Sequence, residues 1–151
     1  MDRFLNIVKA HASALDRAQG QPRFALVTSV DPARYSVRVQ LQPEGVLSGW
    51  LPVLSAWVGA GWGLACLPAP GDQVLVLAQE GDGEHGVVVG AAFSDAVPPP
   101  AAPVGELWLR HRSGVTLKLC NDGTVRITGD VFVEGTLHAT DIADGTGSLR
   151  V

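Results

Sequence analysis

Histidine is the side chain best suited to proton transfer near neutral pH, and this sequence contains four of them. They are widely separated along the chain, and none of them has a Ser or Cys partner in a recognisable catalytic motif. This spacing predicts no nucleophilic triad. The four residues are His11, His85 (in an expected hairpin turn), His111 (between two arginines) and His138.

The carboxylates are spread through segments whose composition predicts turns. An Asp side chain in a turn accepts hydrogen bonds from nearby backbone N–H groups, and we expect that role rather than a paired acid–base site. The aspartates concerned are Asp31, Asp72, Asp82, Asp122 and Asp144.

The two cysteines, Cys66 and Cys120, are far apart and belong to no CxxC motif or Cys/His cluster. This pattern predicts two free thiols rather than a disulfide or a metal site. The Gly-rich stretch at 59–63 (GAGWG) lacks the basic residue and the helix of a phosphate-binding loop, and no P-loop or GxGxxG motif is present. We therefore predict no enzymatic activity and no cofactor.

The composition indicates a folded, acidic protein. The 151 residues are 46% hydrophobic and 17% charged, as in well-packed chains. The net charge of -4 opposes nucleic-acid binding, because that function favours a basic face. No apolar run of about 18 residues predicts a membrane span, and the N-terminus lacks the apolar region of a secretory signal. We expect the chain to fold in a cytoplasm.

Residues 2–18 have apolar side chains at spacings of three and four, which predicts a helix with one apolar stripe. Gly20 and Pro22 are expected to end it. Two interpretations remain open, since the stripe either packs on its own domain or contacts a neighbouring protein or subunit. The stripe consists of Phe4, Leu5, Val8, Ala12 and Leu15.

From residue 23 the pattern changes to short strands separated by turns. Strands are predicted at 24–30, 35–41, 49–54, 73–78 and 86–92, with turns at 31–32, 43–45 and 68–71 and a hairpin connection at 81–84. The Gly-rich, aromatic segment 56–67 is predicted to form a loop that leads into a short strand. This number of strands in roughly seventy residues predicts a small closed or partly closed barrel.

Four tryptophans raise the alternative that the barrel binds nucleic acid or sugar by stacking. The basic groove that should accompany nucleic-acid binding is missing from the composition. We predict core or subunit-interface positions for most of them, with Trp57 and Trp62 as candidates for contact with another protein. The other two are Trp50 and Trp108.

The most regular part of the sequence is 115–140, where polar and apolar residues alternate and a glycine recurs every six residues. The alternation predicts β-structure with one buried face. A ribbon this short cannot bury its own apolar face, so we predict that other copies cover it, most simply in an intertwined trimer. The predicted axis residues are Val115, Leu117, Leu119, Val125, Ile127, Val131, Val133 and Leu137, and the rung glycines are Gly123, Gly129 and Gly135.

Three features together resemble one protein family. They are WLPVL at 50–54, PAPGDQVLVLAQEGDGEHGVVVGAAFSD at 68–95 followed by a Pro-rich linker, and the glycine repeat. Over essentially its whole length the sequence resembles the baseplate assembly protein V family, the central spike of contractile phage tails and phage-tail-like bacteriocins. The resemblance implies an all-β protein in which an OB-fold barrel precedes a homotrimeric, triple-stranded β-helix.

The resemblance also implies a place in the particle. The spike would lie at the tip of the tail tube below a baseplate hub protein, and Trp57 and Trp62 would be candidates for the hub contact. It would pierce the host outer envelope mechanically when the sheath contracts. Its location would be a virion tail baseplate or a phage-tail-like particle, assembled in the bacterial host cytoplasm.

The chain then divides into five segments: an N-terminal helix (1–20), an OB-fold domain (21–96), a Pro-rich linker (97–106), a trimeric β-helix spike (107–141) and a blunt apex (142–151). Members of the family with a pointed tip often end in a His-x-His motif that holds a metal ion. This sequence ends in GTGSLRV, with no His after His138. We therefore expect no metal site, and a separate tip-capping protein instead.

Two other functions remain open. A hexapeptide-repeat left-handed β-helix acyltransferase also has a period of six, although only about three to four rungs are present here. A stand-alone OB-type oligosaccharide-binding module is the other alternative. An elongated trimer would support the spike, a compact coenzyme-binding trimer the transferase, and a sugar-binding monomer the module.

Overall fold

A computed structural model describes residues 1–18, 21–79, 82–143 and 145. The chain divides into two compact units, Met1–Pro99 and Pro100–Val151. The division falls inside the predicted Pro-rich linker. Gly81 and the last residues of the predicted apex, together with Asp144, lie outside the described residues.

The N-terminal helix, α1 (Asp2–Ala18), has the bounds that the apolar spacing predicts. Asp2 stands in its first turn, where a negative charge stabilises the N-terminal end of a helix. The apolar stripe is largely open to solvent in the single chain, since Phe4 is 68% exposed and Leu5 and Val8 are each 48% exposed. The described part of the stripe is therefore available to a neighbour.

Eight strands follow in the N-terminal unit. They are β1 (Arg23–Asp31), β2 (Ser36–Leu41), β3 (Val46–Leu47), β4 (Leu51–Pro52), β5 (Val58–Gly59), β6 (Trp62–Gly63), β7 (Gln73–Gln79) and β8 (Asp82–Ala92). The main sheet has the order β3-β2-β1-β7-β8, and β4 pairs with β2. All of these pairs are antiparallel.

The barrel is only partly closed. The chain after β4 meets β8 through one isolated parallel bridge, Val53 with Val88. Next to it the backbone N–H of Leu54 donates to the carbonyl of Val88 at 2.9 Å. A fully closed barrel is therefore not observed, because a single bridge, rather than a continuous strand pairing, joins the segment after β4 to β8.

The core of this unit is built from small β-branched side chains. Every second residue of the central strands points inward, as the pleat of a strand requires. Burial of each such side chain contributes about 1.5–3 kcal/mol. The buried apolar residues are Ala25, Val27, Val37, Val39, Leu51, Val74, Val76 and Val88.

Several local predictions for this unit are wrong. β3 was not expected, because a two-residue strand after a turn carries almost no periodic signal. Tyr35 lies outside β2 with a φ of 50°, and its hydroxyl accepts a hydrogen bond from the Cys66 N–H at 2.9 Å. Residues 82–84, expected in a hairpin connection, belong to β8.

The C-terminal unit contains β9 (Leu107–Arg110), β10 (Thr116–Leu119) and β11 (Val125–Thr128). They form an antiparallel sheet with β10 in the centre. Both connections are tight turns in which a glycine with positive φ, Gly114 or Gly123, donates to the carbonyl three residues earlier. Among the described residues after Thr128, none belongs to a strand.

Candidate assembly surfaces

One face of the C-terminal sheet is apolar and exposed; we call it the shaft face. Its residues are adjacent, because Leu117 pairs with Ile127 on one side and Leu109 on the other. Leu119 pairs in the same way with Val125 and Leu107. The exposed fractions run from 46% for Leu119 to 61% for Val125, while Leu117 is half-buried. The shaft face consists of Leu107, Leu109, Leu117, Leu119, Val125 and Ile127.

The opposite face of the sheet carries polar and aromatic side chains, some of which pack on one another. Lys118 Nζ lies 3.8 Å from the centre of the Trp108 ring, a cation–π contact. Trp108 Nε1 donates to Glu106 Oε2 at 2.8 Å, and Thr116 is buried. The two faces therefore differ: polar and aromatic side chains contact one another on the opposite face, whereas the apolar side chains of the shaft face are exposed to water.

The predicted axis residues divide into two groups. Four of them lie in β10 and β11, and a fifth, Val115, lies in the turn before β10. Val115 packs against Gly129, where a Cβ would come within 3.1 Å of Val115 Cγ2. The other three lie beyond β11, where Leu137 is 69% exposed. Gly123 stands in the β10–β11 turn, so its place in the period of six coincides with a hairpin connection. The group beyond β11 is Val131, Val133 and Leu137.

A hydrogen-bonded clamp joins the end of the Pro-rich segment to the β10–β11 turn. The backbone N–H of Asn121 donates to Glu106 Oε1 at 3.0 Å. Its side-chain Nδ2 donates to the carbonyl of Val104, also at 3.0 Å. This contact was not predicted from the sequence. A signal was present, because the odd-numbered residues from 115 to 139 are all apolar or glycine except Asn121.

The same turn is stabilised by Asp122. Its Oδ1 accepts from the Thr124 hydroxyl at 2.6 Å and from the Thr124 N–H at 3.0 Å, and its Oδ2 accepts from Arg126 Nη2 at 3.1 Å. These contacts, that of the Thr124 hydroxyl first, lower the pKa of the Asp122 carboxyl from its ordinary value. Asp122 therefore has the turn role that the sequence predicts for aspartates.

The β5–β6 hairpin presents two exposed tryptophans. The rings of Trp57 and Trp62 lie 5.3 Å apart at 73°, an edge-to-face arrangement. A Cβ at Gly59 would collide with the Trp62 ring, so glycine there allows the ring to lie against the backbone. Gly63 has a φ of 137°, and a Cβ there would collide with the carbonyl of Trp57. Trp57 and Trp62 are 63% and 59% exposed.

A groove of about 620 Å³ lies beside this pair; we call it the tryptophan groove. Arg34, Tyr35 and Pro52 also line it. Ser55 Oγ donates to the carbonyl of Leu64 at 2.5 Å, while the Tyr35 hydroxyl accepts from the Cys66 N–H at 2.9 Å and keeps its own hydrogen to donate. The groove thus offers mainly apolar and aromatic surface to a ligand.

The histidines have structural contacts. His11 Nδ1 lies 2.9 Å from the carbonyl of Ile7 in the preceding helical turn. His111 Nδ1 lies 2.7 Å from the Ser113 hydroxyl, a pair that the sequence search did not identify. The Ser113 N–H also donates to that nitrogen at 3.2 Å, which is the geometry of a side chain closing its own turn. His85 lies in β8 rather than in a turn.

Metal-ligand groups and membrane-spanning helices were sought among the described residues. It contains no group of three or more His, Cys, Asp or Glu side chains placed to hold a metal ion. Cys66, which is exposed, and Cys120, which is half-buried, are free thiols. The one described helix is neither long nor apolar enough to cross a membrane.

Part of the chain matches a known family. Residues 23–93 match the family described as the type VI secretion system/phage-baseplate injector OB domain. The matched segment covers the partly closed barrel from β1 to just beyond β8. No curated protein matches the sequence.

Proposed function

We propose, from the membership of residues 23–93 in the family of type VI secretion system/phage-baseplate injector OB domains, that this protein is the central spike of a contractile tail baseplate. Membership in a family of structural injector domains indicates a baseplate-related structural role rather than an enzymatic one. The finer assignment to a spike depends on the C-terminal unit, which lies outside the matched segment.

The observation that carries the proposal is the exposed shaft face. Its six apolar side chains form one contiguous surface on one side of the sheet. Contiguous exposed apolar patches mark surfaces that another molecule covers. Three copies related by a threefold axis would place these side chains together and remove them from water.

A trimeric shaft of this kind suits a mechanical task. Separation of the copies would expose the apolar axis together with unpaired backbone groups, so dissociation should be slow. Residues 129–140 continue the alternation of polar and apolar residues and would continue the shaft toward the apex. We infer that such a shaft transmits the force of sheath contraction to the host outer envelope.

The other exposed surfaces fit partners within the particle. The apolar stripe of α1 and the outer edges of Trp57 and Trp62 are our candidates for contact with the baseplate hub protein. A separate tip-capping protein would bind the blunt apex. The particle is a virion tail baseplate or a phage-tail-like particle, assembled in the bacterial host cytoplasm.

The two alternative functions are less well supported. The acyltransferase requires parallel coils stacked every six residues, whereas β10 and β11 pair antiparallel across a tight turn. An oligosaccharide-binding module would need several free polar groups in its groove. The polar side chains lining the tryptophan groove are Arg34, Tyr35 and Ser55, and the Ser55 hydroxyl already donates within the chain.

The test is the mass and shape of the purified protein. Light scattering should give three times the 15.8 kDa mass of the chain, and electron microscopy should show an elongated particle. A stable monomer at micromolar concentration would rule out the spike. Gold labelling of this chain in an isolated particle should place it on the tail axis at the baseplate.

A further inference from the structure

The tryptophan groove has the chemistry of a surface that binds proline-rich segments. Proline rings pack on aromatic faces, and a polyproline II segment loses little conformational entropy on binding because it is already extended. The groove supplies Tyr35, Trp57 and Trp62 as aromatic surface and Pro52 as apolar surface. Its two indole rings are held edge to face, so the surface is formed before any ligand arrives.

The chain itself carries a segment of the matching kind. Residues 98–103 read PPPAAP and contain a PxxP pattern between Pro100 and Pro103. These prolines are exposed except for Pro100, which is half-buried. Two backbone contacts depart from the extended form, since the Ala102 N–H donates to the carbonyl of Pro100 at 2.6 Å and the Glu106 N–H donates to that of Pro103 at 3.2 Å.

We propose that the tryptophan groove binds the proline-rich connector, residues 97–104, of a second copy of this chain. This contact goes beyond the proposed spike, because it joins copies at the barrel rather than along the shaft face. Copies already held together need only a weak contact, since the linked segment is present at a local concentration of about 1 mM.

Charge favours this occupant. Residues 95–106 contain no basic residue, and Asp95 supplies the carboxylate for a partner, because both oxygens of Glu106 already accept hydrogen bonds within the chain. The charged residue lining the groove is Arg34, whose side chain is 77% exposed. Its ion pair with Asp31 is long, at 3.9 Å, so the guanidinium is available to a second carboxylate.

The tryptophan groove is less suited to a sugar. A sugar presents hydroxyls on every edge and needs several hydrogen-bond partners in addition to stacking. Ser55 donates to Leu64, and the Tyr35 hydroxyl accepts from Cys66. A proline-rich segment has few N–H groups to satisfy, because proline carries none.

The binding experiment uses the full chain with its own connector disabled. Pro98, Pro99, Pro100 and Pro103 are changed to Ser, and a fluorescent peptide of residues 95–106 is titrated to about 1 mM. We expect saturable binding, weakened at least tenfold by Trp62→Ala and several-fold by Arg34→Gln. The matched control Trp50→Ala, outside the groove, should bind as tightly as the parent, and circular dichroism should show each variant folded.

Several results would overturn the proposal. They are the absence of saturable binding, equal binding of a peptide with Ser at the four proline positions, and unchanged affinity in both Trp62→Ala and Arg34→Gln. Binding of a chitooligosaccharide that is lost in Trp62→Ala would assign the groove to sugars instead.

A second measurement tests whether the contact is between copies. Two differently tagged chains, both Cys66→Ser and Cys120→Ser, are co-assembled, one with Val58→Cys, at an exposed position lining the groove, and the other with Ala102→Cys. A disulfide joining the two tags supports the contact, and its absence in assembled trimers would overturn it. Light scattering on the same samples separates this failure from failure of the spike, because a monomer there would contradict the proposed trimer itself.

Discussion

Glu106 and Asn121 are joined by a hydrogen bond that ties the end of the Pro-rich segment to the turn between β10 and β11. The Asn121 N–H donates to Glu106 Oε1 at 3.0 Å, while Glu106 Oε2 accepts from Trp108 Nε1 at 2.8 Å. The Glu106 carboxylate thus connects the start of β9 to the β10–β11 turn at the same end of the sheet. The two oxygens of a single carboxylate allow this, since each accepts separately.

The clamp should contribute measurably to the stability of the C-terminal unit. Asn121→Ala removes the Nδ2 bond to the Val104 carbonyl but keeps the backbone bond to Glu106, so we expect a loss of about 0.5–1.5 kcal/mol. Glu106→Ala removes both carboxylate bonds and should cost more. Urea denaturation at fixed protein concentration measures both, with the exposed Glu134→Gln as control. Equal stability of Asn121→Ala and the parent would contradict this role.

The β10–β11 turn should have a pH-dependent stability. The pKa of Asp122 in the folded chain lies below its ordinary value. The ionised carboxylate therefore stabilises the fold fully above the unfolded pKa, and this stabilisation is lost as pH falls through the folded pKa. The stability difference between the parent and Asp122→Asn should therefore be constant at neutral pH and shrink below about pH 4. Carboxyl carbon NMR should show the Asp122 pKa rising in Thr124→Ala, because that hydroxyl is its first partner. An unmoved pKa would contradict the assignment.

Alternation along the chain predicted which residues share a face, because the pleat of a strand has a period of two. Leu117, Leu119, Val125 and Ile127 were therefore correctly placed together. Alternation carries no information on strand direction or partner, so the antiparallel pairing of β10 with β11 was not predicted. The Asp122-Gly123 dipeptide would have indicated a hairpin turn at that point.

Other features lay beyond sequence reasoning for physical reasons. The bounds of α1 were predicted, because a period near 3.6 and the breakers Gly20 and Pro22 are local signals. The clamp at Asn121 depends on a contact between residues that are distant in sequence. β3, with two residues, is held by its pairing to β2 and has no pattern of its own.

Assembly through the shaft face should be blocked by a buried charge. Ile127→Asp or Val131→Asp would bring three carboxylates together in a desolvated space, so we expect monomers in place of trimers. The control is Thr128→Lys, which changes the neighbouring residue on the other side of the strand and should remain trimeric. Light scattering and resistance to SDS measure the outcome. An SDS-resistant Ile127→Asp trimer would contradict the proposed axis.

The tryptophan hairpin should be sensitive to a single methyl group at Gly59. A Cβ there collides with the Trp62 ring, so Gly59→Ala should displace the ring and remove its edge-to-face contact with Trp57. Such aromatic contacts contribute about 0.5–1.5 kcal/mol, and the coupled near-ultraviolet circular dichroism of the two indoles should fall. The matched control is Gly49→Ala, because a Cβ at Gly49 meets nothing within 4 Å. An unchanged indole signal in Gly59→Ala would show that the ring does not depend on the open backbone at Gly59.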